Sequence, residues 1–149
     1  MTKHASNKYL NKTILAVDYG FKVIGTAIFR VGNDPYPLMH EKILFKDIDS
    51  SIANLKQIVE NESIDIVIFG LPHYTDGKRS DHTLKTENVG IALKALLPQS
   101  EFYFQDETLT TKEAEDRMKN SPEYNFKVDP TKIDCLSAVI ILEDFLRSN

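Results

Sequence analysis

Three acidic residues stand where their neighbours predict burial. Asp18 closes the apolar run Thr13 to Val17 (TILAV). Glu107 follows the short segment Glu101 to Gln105 (EFYFQ), and Asp134 is expected in the second turn of a C-terminal helix. Ala138, Ile141 and Phe145 continue one face of that helix from Asp134, which directs the carboxylate at the interior rather than at water. A buried carboxylate needs a partner or a metal ion. Three converging ones repel one another and favour divalent cations, and an all-oxygen set selects Mg²⁺ or Mn²⁺ over zinc. Two such ions about 3.5–4 Å apart suit in-line attack of water on a phosphodiester, one lowering the pKa of the water and the other neutralising the leaving oxygen. Each acid also has a plainer reading. Asp18 is compatible with a turn residue bonded to its own backbone, Glu107 beside Asp106 with a complement to a helix dipole, and Asp134 with a solvated helix face.

The remaining chemistry is sparser. The loop Pro72 to Ser80 places Lys78 and Arg79, with two hydroxyls, ahead of a helix N-terminus, a combination suited to a phosphate backbone. The four histidines, His4, His40, His73 and His82, have no zinc spacing. Cys135 has no neighbouring His or Cys in sequence and reads as core packing. No Gly-Lys-Ser/Thr phosphate loop is present.

The elements that would position these groups follow from periodicity. Thr13–Val17, Val23–Arg30 and Leu38–Phe45 read as strands of an antiparallel meander, with Gly25 marking a bulge or a close backbone approach. Helices are expected over Ser51–Glu62, from about Thr83 to Leu97, from a capping box at Thr110–Glu113, and from Asp129-Pro130 to about Arg147. Asp65–Gly70 and Glu101–Gln105 supply two more strands. The order βββαβαβαα gives an α/β fold, a mixed five-stranded sheet with helices on both faces.

The chain has 149 residues, enough for one domain and its core. Residues 1–12, carrying Lys3, Lys8 and Lys12 and no acid, are expected to form a flexible basic arm before a domain over 13–149. A formal charge of −4 argues against coating nucleic acid by bulk charge, and leaves room for a local basic groove. One cysteine excludes an internal disulfide framework and fits the cytoplasm. No membrane span or secretory signal is expected.

Four segments together carry more than any one. ILAVDYGFKVIGTAI, IVIFGLPHYTDGKRS, DETLTTKEAEDRM and KIDCLSAVIILEDFL resemble, in order and spacing, the motif blocks of the YqgF/RuvX family. That resemblance spans about Thr13 to Leu146. It implies an RNase H-like fold and a metal-dependent nuclease in which Asp18, Glu107 and Asp134 hold Mg²⁺ or Mn²⁺, two ions in all, and Lys22, Lys78 and Arg79 contact phosphates. It implies precursor 16S rRNA as the favoured substrate, with branched DNA as the alternative, the protein acting as a monomer or homodimer. A four-way junction would require a two-fold dimer presenting two sites. The sequence departs from the family pattern where Lys22-Val23 replaces Lys-Arg and where Thr108 follows the acidic pair, both changes touching substrate contacts. A non-catalytic RNA-binding module of the same fold is the rival reading from another class. An actin-like ATPase shares the Asp-x-Gly strand end but needs two such domains, which 149 residues do not supply.

Overall fold

The computed structural model describes residues 8–72, 80–107 and 110–148. Five strands form one sheet in the order β3-β2-β1-β4-β5: β1 (Thr13–Asp18), β2 (Val23–Arg30), β3 (Leu38–Leu44), β4 (Ile66–Leu71) and β5 (Glu101–Asp106). The first three pair antiparallel, and β1–β4 and β4–β5 pair parallel, as a meander followed by crossover helices requires. The helices are α1 (Ile48–Asn61), α2 (Asp81–Ala95), α3 (Thr110–Lys119) and α4 (Ile133–Ser148), with a 3₁₀ turn at Pro122–Tyr124.

Strand β1 is apolar from Ile14 to Val17, as suits a strand with helices covering both of its faces. On one face Ile14 and Ala16 join Ala27, Phe29, Ile66 and Ile68 beneath α3 and α4, which contribute Met118, Ile141 and Phe145. On the other, Leu15 and Val17 join Val67 and Phe69 against Leu55 of α1 and Leu93 of α2. Among the described residues no helix is long and apolar enough to cross a membrane.

Several boundaries differ from expectation, each for a local reason. Asp47 caps α1, its carboxylate accepting from the Ser50 amide at 2.7 Å, so that helix begins before Ser51. Ser80 caps α2 in the same way through Thr83. Thr110 lies inside α3 rather than capping it: its hydroxyl donates back to the Glu107 carbonyl at 3.0 Å. Asp129 does not start α4. Its carboxylate instead accepts from the amide and hydroxyl of Thr131, a closed turn that delays the helix to Ile133 and puts Asp134 in its first turn, not its second.

The expected arm also ends earlier. Tyr9 is buried, its ring 5.8 Å from that of Phe145, and Val31 exchanges backbone hydrogen bonds with Asn11 and Lys12. Residues 9–12 are therefore docked on the sheet; 1–7 lie outside the described residues.

Gly25 has both properties expected of it. The β2–β3 register shifts between Gly25 and Ala27, and the first turn of α4 rests on the glycine itself. A Cβ there would meet the Asp134 carbonyl oxygen at 2.1 Å and the Cys135 amide nitrogen at 2.7 Å. Both are backbone atoms and cannot swing aside. Gly25→Ala is therefore expected to lift α4 and to cost roughly 1–3 kcal/mol or more, seen as a lower midpoint in urea unfolding. An unchanged midpoint would show that α4 is not seated there.

Candidate active site

The site is assembled from one row of the sheet. Asp18, the last residue of β1, pairs with Gly25 of β2, and Gly25 pairs with Lys42 of β3. On the other side the parallel register Val17–Phe69 continues to bring Gly70 of β4 beside Asp18. Asp18 thus has a glycine on each side, on the sheet face that α4 covers. The missing side chain at Gly25 admits the backbone of α4, and with it Asp134. The missing side chain at Gly70 admits Glu107, whose Oε2 lies 3.1 Å from where a Cβ would be.

Glu107 is held by its backbone from both directions. Its amide donates to the Leu71 carbonyl at 3.0 Å, extending the β4–β5 ladder by one residue. Its carbonyl accepts from the amide and the hydroxyl of Thr110 at 3.1 and 3.0 Å. Below Asp18, Tyr19 is buried in an aromatic cluster with Phe21, Phe45 and Phe69, and its hydroxyl is 2.6 Å from that of Ser51. That cluster fixes the turn that leaves β1.

The carboxyl groups of Asp18 and Glu107 share a hydrogen bond, and Asp134 stands close enough to act on Asp18 through its charge. Burial pushes Glu107 up to about 10, helped by the negative charge of Asp18 and by the hydrogen bond Glu107 donates to it. Burial also raises Asp18; the proton offered by Glu107 lowers it again, and the charge of Asp134 raises it. Asp134 is raised by burial and eased by Lys42. Glu107 therefore keeps its proton at neutral pH and shares it with Asp18, the arrangement expected of like charges forced together. Among the described residues no three His, Cys, Asp or Glu side chains form a metal-ligand cluster, so Asp134 stands back from the contact made by the other two.

Of the expected phosphate contacts, Lys22 is exposed on the β1–β2 turn, where its carbonyl accepts from Phe45; among the described residues it makes no ion pair with the acids. Lys78 and Arg79 lie outside the described residues. Cys135 is buried, its thiol directed at the carbonyls of His40 and Glu41 and raised by burial, consistent with packing rather than nucleophilic chemistry. Sequence reasoning missed Lys42. It is exposed, lies on the Asp18 row, and acts by charge on both Asp129 and Asp134. Strand alternation alone could not locate it, because the irregularity after Gly25 breaks the count across β2 and β3.

A mixed sheet in this order, with acids at the same end of the sheet where β1 and β5 finish on either side of β4 and a third on the covering helix, defines an RNase H-like domain. Its likeness to solved structures is one of fold. It superposes on Thermus thermophilus RuvC in complex with Holliday junction substrate with a TM-score of 0.58 at 9% identity, covering 93% of this chain and 96% of that one. The fowlpox virus Holliday junction resolvase gives 0.59 at 15% identity, covering 92% and 99%. In sequence, residues 12–148 match the model of the family described as RuvX: Holliday junction resolvase. A Thermus thermophilus protein named "Putative pre-16S rRNA nuclease" is 34% identical over 133 residues, 88% of this chain and 94% of the relative. A Malacoplasma penetrans protein of the same name is 32% identical over 145 residues, 93% and 96%. The chain belongs to the RuvX family. Family and relatives place it among the nucleases, hydrolases of phosphodiester bonds.

The raised Glu107 has a measurable consequence. A carboxyl that titrates near 4.5 when unfolded and near 10 when folded binds more protons in the native state across that interval. Stability of the metal-free protein must then fall as pH rises from about 5, by at most about 1.4 kcal/mol per pH unit for one proton. In EDTA, Glu107→Gln is expected to flatten that fall between pH 5 and 8 and to melt higher than the parent at pH 8. Parallel melting curves against pH would contradict the shared proton.

Proposed function

We propose that the protein is a divalent-metal-dependent nuclease whose substrate is precursor 16S rRNA, processed at its 5′ end in the cytoplasm. The observation that carries this reading is the Asp18–Glu107 carboxyl pair, held in contact in a partly buried cleft with Asp134 beside it. The donor set is all oxygen and negatively charged, and Gly25 and Gly70 let α4 and Glu107 approach Asp18 closely enough to supply it, so the residues fit a hard divalent ion. Asp18, Glu107 and Asp134 would hold it, and when bound it would supply charge neutralisation at the reacting phosphate and a more acidic water.

The chain's own residues do the rest. Glu107, fixed through Thr110 and Leu71, shares a proton with Asp18 and would have to release it to solvent for the pair to hold a cation. Asp18, at the end of a rigid central strand, orients the cleft. Lys42 offers a cation to a phosphate on the β3 side, and Lys22 one on the β1–β2 turn. Lys78 and Arg79, ahead of α2 in sequence, would add further phosphate contacts.

The family description favours a second substrate, a four-way DNA junction. Cleavage of end-labelled precursor rRNA and of a synthetic junction, side by side with Mg²⁺ and Mn²⁺, decides between them. Cleavage of the junction alone would replace the rRNA reading, and cleavage of neither with tight metal binding absent would favour a non-catalytic module.

Asp18→Asn is expected to reduce cleavage roughly a thousandfold or more while the fold persists, because a ligand for the reacting centre is lost. Near-normal cleavage by this variant would refute the mechanism. Replacing Lys78 and Arg79 together by Ala should weaken binding to all sequences and reduce the slope of log affinity against log salt by about one to two units. An unchanged slope would place the substrate elsewhere.

A further inference from the structure

The segment between α3 and α4 holds one aromatic residue whose position packing does not explain. Tyr124, Val128 and Ile133 pack against the core beneath α4, whereas Phe126 belongs to neither core cluster and is 60% exposed. Among the described residues its ring makes no aromatic contact. Its backbone lies in the left-handed region, φ 59°, directly after Asn125 at φ 55°. Asparagine tolerates that conformation; a bulky side chain adopts it only where the surroundings impose it.

The imposition is visible. Ser121 receives the Phe126 amide on its carbonyl at 3.0 Å and the Glu123 amide on its hydroxyl at 3.2 Å. Asn125 donates to Pro122 at 3.0 Å and Lys127 donates to Tyr124 at 3.1 Å. The Asp129 amide is tied to the Met118 sulfur at 3.3 Å. A closed turn thus holds an aromatic ring out to water at a cost in backbone free energy, and such costs collect where a side chain must meet something. The turn leads within a few residues to Asp134. Lys127 and Lys132 flank it, Lys132 with its ammonium 6.0 Å from the Tyr124 ring, and Lys42 lies across from Asp129 and Asp134.

We propose that Phe126 is a base-stacking residue. A nucleic acid with its scissile phosphate at Asp18, Glu107 and Asp134 crosses the 121–132 turn, stacks one base on the Phe126 ring and places flanking phosphates near Lys127 and Lys132. This rests on the nuclease reading and adds to it a contact that is aromatic rather than ionic. Stacking tolerates any base, so the contact sets the position of the strand more than its sequence.

The test uses the full chain carrying Asp18→Asn, so that binding is read without cleavage. The probes are a fluorescein-labelled single-stranded RNA and a synthetic four-way junction. Adding Phe126→Gly should weaken binding of at least one probe roughly five- to a hundredfold, with the salt slope unchanged because no phosphate contact is lost. The same change should raise Tm, by roughly 2–4 °C, because glycine relieves the backbone. Phe126→Trp should restore affinity. Lower affinity together with a higher Tm is a pattern that a packing role would not produce. Unchanged affinity for both probes would overturn the proposal. So would a change of oligomeric state with binding preserved, which would make Phe126 a protein contact. Failure of the unsubstituted protein to cleave either nucleic acid, with the Phe126 effect on binding intact, would remove the nuclease reading and leave Phe126 as a binding residue. Failure to bind either would remove both.

Discussion

The seat of α4 on Gly25 is the contact on which the rest of the site depends. It is a backbone-on-backbone approach, and it is tolerated only because β2 offers no side chain there. Gly25 is also the strand partner of Asp18, so whatever rests on Gly25 is delivered next to Asp18. The helix would not stay there on electrostatic grounds, since its first turn brings another negative charge toward two carboxyls. It is held by its apolar row. Burying side chains such as Ile141 and Phe145 contributes about 1.5–3 kcal/mol each, and α4 buries every residue from Cys135 to Leu142, all of them apolar but Ser137. Hydrophobic burial along the helix outweighs repulsion at its tip, and the cleft inherits three acids that it would not assemble by attraction.

The balance between those acids is then a matter of backbone, not of side-chain pairing. Glu107 is anchored through its amide and its carbonyl, which leaves its carboxyl little choice of direction. With Glu107 protonated, the pair is stable as a neutral–anionic hydrogen bond; under the proposed metal-dependent reading, both carboxylates would ligate the cation. The same scaffold serves both states, which is the practical meaning of preorganisation at such a centre.

Much of this was legible from residue order. The strands announced themselves because β1 and β4 are apolar on both faces, and the inward row of Asp134, Ala138, Ile141 and Phe145 did so because helical spacing is regular. Helix starts were less legible, since Asp47 and Ser80 cap through hydrogen bonds to residues that carry no apolar signal. Asp129 misled for a related reason: the same side chain that would cap a helix closes a turn on Thr131 instead. Lys42 was hidden by the irregularity in the β2–β3 register. Tyr9 was hidden because Leu10 is its only apolar neighbour in a polar stretch, and its burial depends on Phe145, far away in sequence. The acids were found by their apolar company; the cation was missed because strands do not advertise their neighbours.

The lateness of α4 in the chain has a consequence for how the protein is made. Roughly a hundred residues separate Gly25 from the Asp134 turn that rests on it. During synthesis the three-strand meander emerges first, and domains fold from the N-terminal side as the ribosome proceeds. Throughout that interval Ala27 and Phe29 lack the helix that later covers them. The third acid is equally absent. A nascent chain therefore carries an uncovered, aggregation-exposed sheet face and an incomplete cleft, and both deficits end in one event, the docking of the last helix. Maturation of the fold and acquisition of the full charge set are the same step.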